Sequence, residues 1–182
     1  MLATAFILFT TTIIAHAQVL NQPFPELTAE TVEDQTVTLP QDTKGRITLV
    51  GMAYSKKSEK DLSTWMSPIF NTFIRQKVSD GGLFASFSHD IDVYFIPMFT
   101  GIKTAAHGTA KRKAAKEIDA RMIPYVLFYQ GKLKPYKDAL DFEKRDIPYF
   151  FLLDGNGKII YATSGAYSDK KMAAIEEKIE GL

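Results

Sequence analysis

"RITLVGMAYSKKSEKDLSTWMSPIF", Arg46 to Phe70, contains two different periodicities, and the change between them decides the fold. Arg46 to Tyr54 is a nearly continuous apolar run, the pattern of a strand buried on both faces. Beyond it Leu62, Trp65, Met66, Ile69, Phe70, Phe73, Ile74 and Val78 recur at spacings of three and four, which predicts a helix from about Glu59 to Val78 with one broad apolar face. Ser58 is the expected N-cap, Glu59 and Asp61 suit the positive end, and Pro68 is expected to kink the helix. A second buried run, Ile91 to Phe99, follows. Strand, helix, strand with a long crossover implies parallel pairing.

Outward from this unit, "QPFPELTAETVEDQTVTLP" (Gln22 to Pro40) reads as an extended entry segment with a short strand at Thr36 to Leu39. Lys103 to Arg121, rich in Ala, Lys and Arg, reads as a surface helix interrupted at Gly108. Tyr125 to Tyr129 fits either strand or helix, and Pro135 to Phe142 fits a short helix. "PYFFLLDGNGKIIYAT" (Pro148 to Thr163) holds two apolar runs, Tyr149 to Leu153 and Lys158 to Thr163, joined by Asp154, Gly155, Asn156 and Gly157. That is a β-hairpin. Ser168 then caps a last helix with Met172, Ile175, Ile179 and Leu182 on one face. A βαβ unit followed by a ββα unit predicts an α/β domain: a central mixed sheet flanked by helices on both faces.

Composition narrows the function classes. The 182 residues, 46% hydrophobic and 12% aromatic, suffice for one sizeable core. A net charge of +1 supplies no global field for nucleic acid or an anionic membrane. Cysteine is absent, which removes disulfides, thiolate metal ligands, thiol peroxidase chemistry and dithiol exchange together, because each needs sulfur. At the N-terminus, Leu2 to Ala15 is apolar or threonine, and Ala15 and Ala17 stand where a signal peptidase requires small residues. The expectation is a signal peptide over residues 1–17, a mature start at Gln18 and a secreted or periplasmic domain over 18–182. The competing reading is an uncleaved anchor. The run nevertheless falls short of the roughly 20 residues that span a bilayer, and no cysteine follows it to carry a lipid.

The chain resembles the thioredoxin-like superfamily from about Phe24 to Leu182. "FPELTAETVEDQTVTLPQDTKGRITLVGMAYS" (Phe24 to Ser55) looks like the opening of redoxins and peroxiredoxins, and "RDIPYFFLLDGNGKIIYATSGAYS" (Arg145 to Ser168) looks like the closing proline, hairpin and glycine block. "STWMSPIF" (Ser63 to Phe70) and "PYFFLLDGNGKII" (Pro148 to Ile160) are similar to the thioredoxin-like family of mitochondrial ATP synthase assembly factors. The resemblance implies a three-layer thioredoxin-like fold with the cysteine positions falling on Ser55, Lys56, Lys57 and Ser58. It also implies a cis proline at Pro148, preceded by Ile147, while Pro40, Pro68, Pro97, Pro124 and Pro135 are expected trans. The assembly factors imply a role in maturing a membrane complex.

The lead reading is a non-catalytic domain that binds a protein or peptide at the edge formed by Tyr54, Ser55, Lys56, Lys57, Ser58, Thr100, Ile147 and Pro148. Loops at the carboxyl ends of parallel strands share one edge, and the main chain of Ile147 is expected to meet an extended segment there. The alternative is a redoxin-like oxidoreductase whose thiol comes from a partner, or whose chemistry is not sulfur-based. Serine catalysis needs an adjacent base, and His89 and His107, the histidines beyond the leader, sit in no triad motif; capping is the plainer role for Ser58. Lys56 and Lys57 bind an anion at the helix start or extend into water. "SHDID" (Ser88 to Asp92) lacks a second ligand cluster and reads as a polar turn. Lys111 to Arg121 reads as an exposed helix face, and Trp65, Phe70 and Phe73 as core. Asp154 to Gly157 lacks the ligand series of a calcium loop. No pattern calls for a metal or cofactor.

Overall fold

The computed structural model describes residues 19–75, 91–100 and 107–182. Strand β3 (Ile47–Ala53) is the middle of a five-stranded sheet because it has apolar partners on both faces. It pairs in parallel with β4 (Ile91–Thr100), aligning Ala53 with Pro97, and antiparallel with β6 (Tyr149–Leu153). β5 (Tyr129–Gly131) and β7 (Ile159–Ser164) form the edges, giving the order β5-β4-β3-β6-β7. The sheet is mixed, as the βαβ and ββα units require.

Alternation along the strands divides the core in two. Val50, Met52, Tyr149, Phe151 and Leu153 face one side. There they meet Leu27 and Leu39 of an antiparallel hairpin, β1 (Leu27–Glu30) and β2 (Thr36–Leu39), together with Tyr136 of the short helix α3 (Lys134–Ala139). Leu49, Ala53, Phe150 and Leu152 face the other side, under α1 (Lys56–Ile69) and α4 (Asp169–Glu180). α2 (His107–Glu117) precedes a 3-10 turn over Ala120–Tyr125.

Helix α1 sits very close to the sheet. A Cβ at Gly51 would lie 2.5 Å from Phe150 Cε1 and 3.0 Å from Leu62 Cδ1. The missing side chain is what lets the Trp65 ring settle 4.3 Å from that of Phe150. Pro68 does not end the helix. The backbone ladder changes immediately after it, into a π turn at Phe70–Ile74 that begins where the Phe70 N–H reaches both Met66 O and Ser67 O.

Several expectations are corrected. α1 begins at Lys56, three residues before the apolar periodicity suggests, and Ser55 rather than Ser58 is its N-cap. The entry segment holds a full hairpin, because β1 supplies Leu27 and Ala29 as partners for β2. Tyr125 to Tyr129 divides between the end of the 3-10 turn, a parallel bridge from Val126 to Phe95 and the start of β5. Ser168 occupies the N-cap position of α4 with no side-chain cap bond, and Leu182 lies beyond the helix, 67% exposed. Among the described residues, no helix is long and apolar enough to cross a membrane. The proposed leader, His89 and residues 88–90 of the "SHDID" stretch lie outside the described residues. Asp92 of that stretch pairs with Arg46, Nε to Oδ2 2.8 Å.

Candidate functional site

β3 releases the chain at Ala53, and Tyr54 and Ser55 are the first residues clear of the sheet. Ser55 is extended, with φ −140° and ψ 159°, and its Oγ accepts the Ser58 N–H at 3.1 Å. Ser58 Oγ answers by accepting the N–H groups of Ser55 at 2.9 Å and Tyr54 at 3.1 Å. This is a reciprocal capping box.

Each serine hydroxyl carries a single proton. The Ser58 hydroxyl donates to Ser55 O at 3.0 Å, and the Ser55 hydroxyl has the Asp146 carboxylate at 2.9 Å. The two oxygens lie 3.1 Å apart, yet with both protons directed elsewhere their closeness adds no further bond. Ser55 is 4% exposed and Ser58 is fully buried. Asp146 is the one titratable side chain hydrogen-bonded to the pair among the described residues, so it is the group that would have to act as base were Ser55 a nucleophile. Sequence reasoning missed Asp146. It lies 91 positions from Ser55 in no motif, and its only signal is a polar residue shortly before a proline.

The loop that carries Asp146 is fastened by aromatic groups. Tyr54 stacks on Phe142 at 5.4 Å and donates its hydroxyl to Lys144 O at 2.9 Å. Tyr149 accepts the Lys144 N–H at 2.6 Å and donates to Lys144 O at 3.0 Å. Burial, with Tyr149 and Asp146 nearby and Arg145 opposing, pushes the Tyr54 phenol up to about 12. Burial likewise raises Tyr149. Both phenols are therefore neutral hydrogen-bond donors at physiological pH.

The structure brings together most of the residues named from sequence, in unequal states. Lys56 and Lys57 are exposed on the first turn of α1. Ile147 is half-buried against the core, and Pro148 is buried with its carbonyl accepting the Gly165 N–H at 2.8 Å. Thr100 stands apart. It pairs with Gly131 at the end of β4, three residues past the position aligned with Ala53, or about 10 Å along the strand.

The cis proline is elsewhere: among the described residues the cis peptide is Leu39–Pro40, so Pro40 is not trans as expected and the Ile147–Pro148 bond is trans. Trans is the intrinsically favoured isomer even before proline. The contacts on either side, Asp146 to Ser55 and Pro148 O to Gly165, are made with the bond in that form. The expectation that a cis bond presents the Ile147 main chain is therefore withdrawn.

No protein-family model matches the chain, and no curated protein sequence matches it. Solved structures do. The thioredoxin domain of a thiol-disulfide oxidoreductase from Bacteroides vulgatus aligns at TM-score 0.56 and 17% identity, over 88% of this chain and 97% of that one. A thiol:disulfide interchange protein from Bacteroides sp. aligns at 0.60 and 19%, over 90% and 91%. The exposed lipoprotein thioredoxin of Streptococcus pneumoniae aligns at 0.51 and 13%, over 87% and 100%. The protein thus has a thioredoxin-like fold. It is a version of that fold without cysteine, with Ser55 and Ser58 on the turn that opens α1. The resemblance to ATP synthase assembly factors gains no support from these structures.

Proposed function

We propose that this is a non-catalytic thioredoxin-like domain that binds a protein or peptide at the edge carrying Tyr54 to Ser58, Ile147 and Pro148, with Thr100 at its far margin. One observation carries the reading: both serine hydroxyls on the opening turn of α1 are spent on the helix cap and on Asp146. A partner would meet Lys56, Lys57 and half-buried Ile147, while Tyr54, Ser55, Ser58 and Pro148 form the rigid support beneath. The apolar leader over residues 1–17, the small residues Ala15 and Ala17, and the likeness to an exposed lipoprotein thioredoxin support placing the domain outside the cytoplasm. A role in assembling an envelope or membrane complex fits that placement.

The test is a pull-down of the wild-type chain from its native envelope beside an Ile147→Asp and a Lys56→Glu/Lys57→Glu variant, each first checked for folding by circular dichroism. The reading expects a protein retained by wild type and lost with both variants. Retention indifferent to both would remove this edge as the binding site.

A further inference from the structure

The other flank of α1 has a different character. Between α1 and the α2 to 3-10 segment runs an open cleft of about 970 Å³. Leu62, Met66 and Phe70 recur every four residues and so form a single stripe along its α1 wall. Phe99 of β4 and the buried Met122 and Phe128 complete its apolar surface. Met66, Phe70 and Phe99 are only partly buried. Met66 and Phe70 present an unbranched and an aromatic side chain to a guest, the kind of surface that adapts to varied apolar partners.

The charges at the cleft are arranged unevenly. On the far wall Lys113 pairs with Glu117 at 3.7 Å and Arg121 with Asp119 at 2.6 Å, and the Arg121 guanidinium lies 5.0 Å over the Phe70 ring. On α1, Glu59 is engaged as well. Lys56 and Lys60, one helical turn apart on the same wall, form no ion pair among the described residues. They stand at the N-terminal end of α1, where the helix dipole adds to their positive charge.

We infer that this cleft is a peptide-binding groove for an apolar segment flanked by acidic residues. The apolar side chains lie along Leu62, Met66 and Phe70, and the carboxylates meet Lys56 and Lys60. The inference rests on the binding reading above but moves the principal contact from the Ile147 edge to the opposite flank of α1.

A random 12-residue peptide library displayed on phage, selected on the immobilised full chain, tests it. The expected selection is enriched in Asp or Glu beside Leu, Ile or Phe. Synthetic copies of the winners should bind about tenfold more weakly to a Lys56→Glu/Lys60→Glu variant and lose affinity in raised salt. They should bind weakly to Phe70→Asp and unchanged to Ile147→Asp. The lysine variant, altered only on the surface, keeps the test decisive if Phe70→Asp fails to fold. Winners lacking acidic residues, or indifferent to both cleft variants, would overturn the inference. If those winners were instead lost with Ile147→Asp, the edge reading would stand alone. Selection of no peptide, or binding of a fluorescent fatty acid in place of any peptide, would overturn the inference and leave the edge reading to the pull-down.

Discussion

The two sides of the α1 N-terminus put their polar groups to opposite uses. On the sheet side, Ser55, Ser58, Tyr54 and Asp146 form a closed set in which each hydroxyl has found a partner. On the cleft side, one or two residues away, Lys56 and Lys60 extend past an apolar wall without ion pairs among the described residues. Lys111 sharpens the contrast. It is 5% exposed, and its ammonium is held by Glu30 and Asp34 of the β1–β2 hairpin. Saturated polar groups stabilise the molecule they belong to, and unsatisfied ones remain available to another. On the resemblance that places the cysteine positions at Ser55 to Ser58, those positions have gone to the first use.

The strongest way to break the closed side is Ser58→Ala. It removes the acceptor of two backbone N–H groups in a buried turn, and stranding both should cost about 3 kcal/mol, read from urea denaturation. Gly51→Ala attacks the support beneath. Its Cβ meets the Phe150 ring at 2.5 Å, and overpacking of this kind costs about 2 kcal/mol, seen in the same measurement. Ser55→Ala should be milder, about 1 kcal/mol for a lost N-cap, with the Asp146 loop released; faster amide exchange over residues 142–147 would report it.

A further test is an alkaline one. Folding raises the Tyr54 phenol from 10.0 to about 12, so the native state holds that proton more tightly than the unfolded chain does. The associated stability is fully present below pH 10 and falls away as pH rises from 10 towards 12. Tyr54→Phe should flatten that decline in thermal melts. An equal decline in both proteins would show that Tyr54 is not the group responsible.

Much of the frame was legible because burial leaves a periodic trace. The runs at Arg46 to Tyr54 and Ile91 to Phe99 became the parallel centre of the sheet, and Tyr149 to Thr163 became its hairpin. The start of α1 left no such trace. Its first turn places Lys56, Lys57 and Glu59 outward, and the apolar face begins only at Leu62, so a pattern built on apolar spacing detects the helix late and assigns the cap to Ser58. What fixes Ser55 as the cap is where β3 ends, a matter of strand register. Asp146 was illegible for a related reason: its role depends on the antiparallel pairing of β6 with β3, which brings the loop before Tyr149 to the exit of β3. β1 was concealed by two prolines and by its short length. The isomer of Pro148 was carried over from resemblance, and the local contacts did not require it.

We propose that the serine pair serves structure rather than redox chemistry, and reduction of a disulfide substrate tests this most directly. With insulin and dithiothreitol, wild type should give no rate above the uncatalysed background. The Ser55→Cys/Ser58→Cys variant, whose sulfurs replace oxygens now 3.1 Å apart, should close an intramolecular disulfide, read as a mass loss of about 2 Da, and accelerate the reaction. Turnover by the wild-type chain would contradict the account.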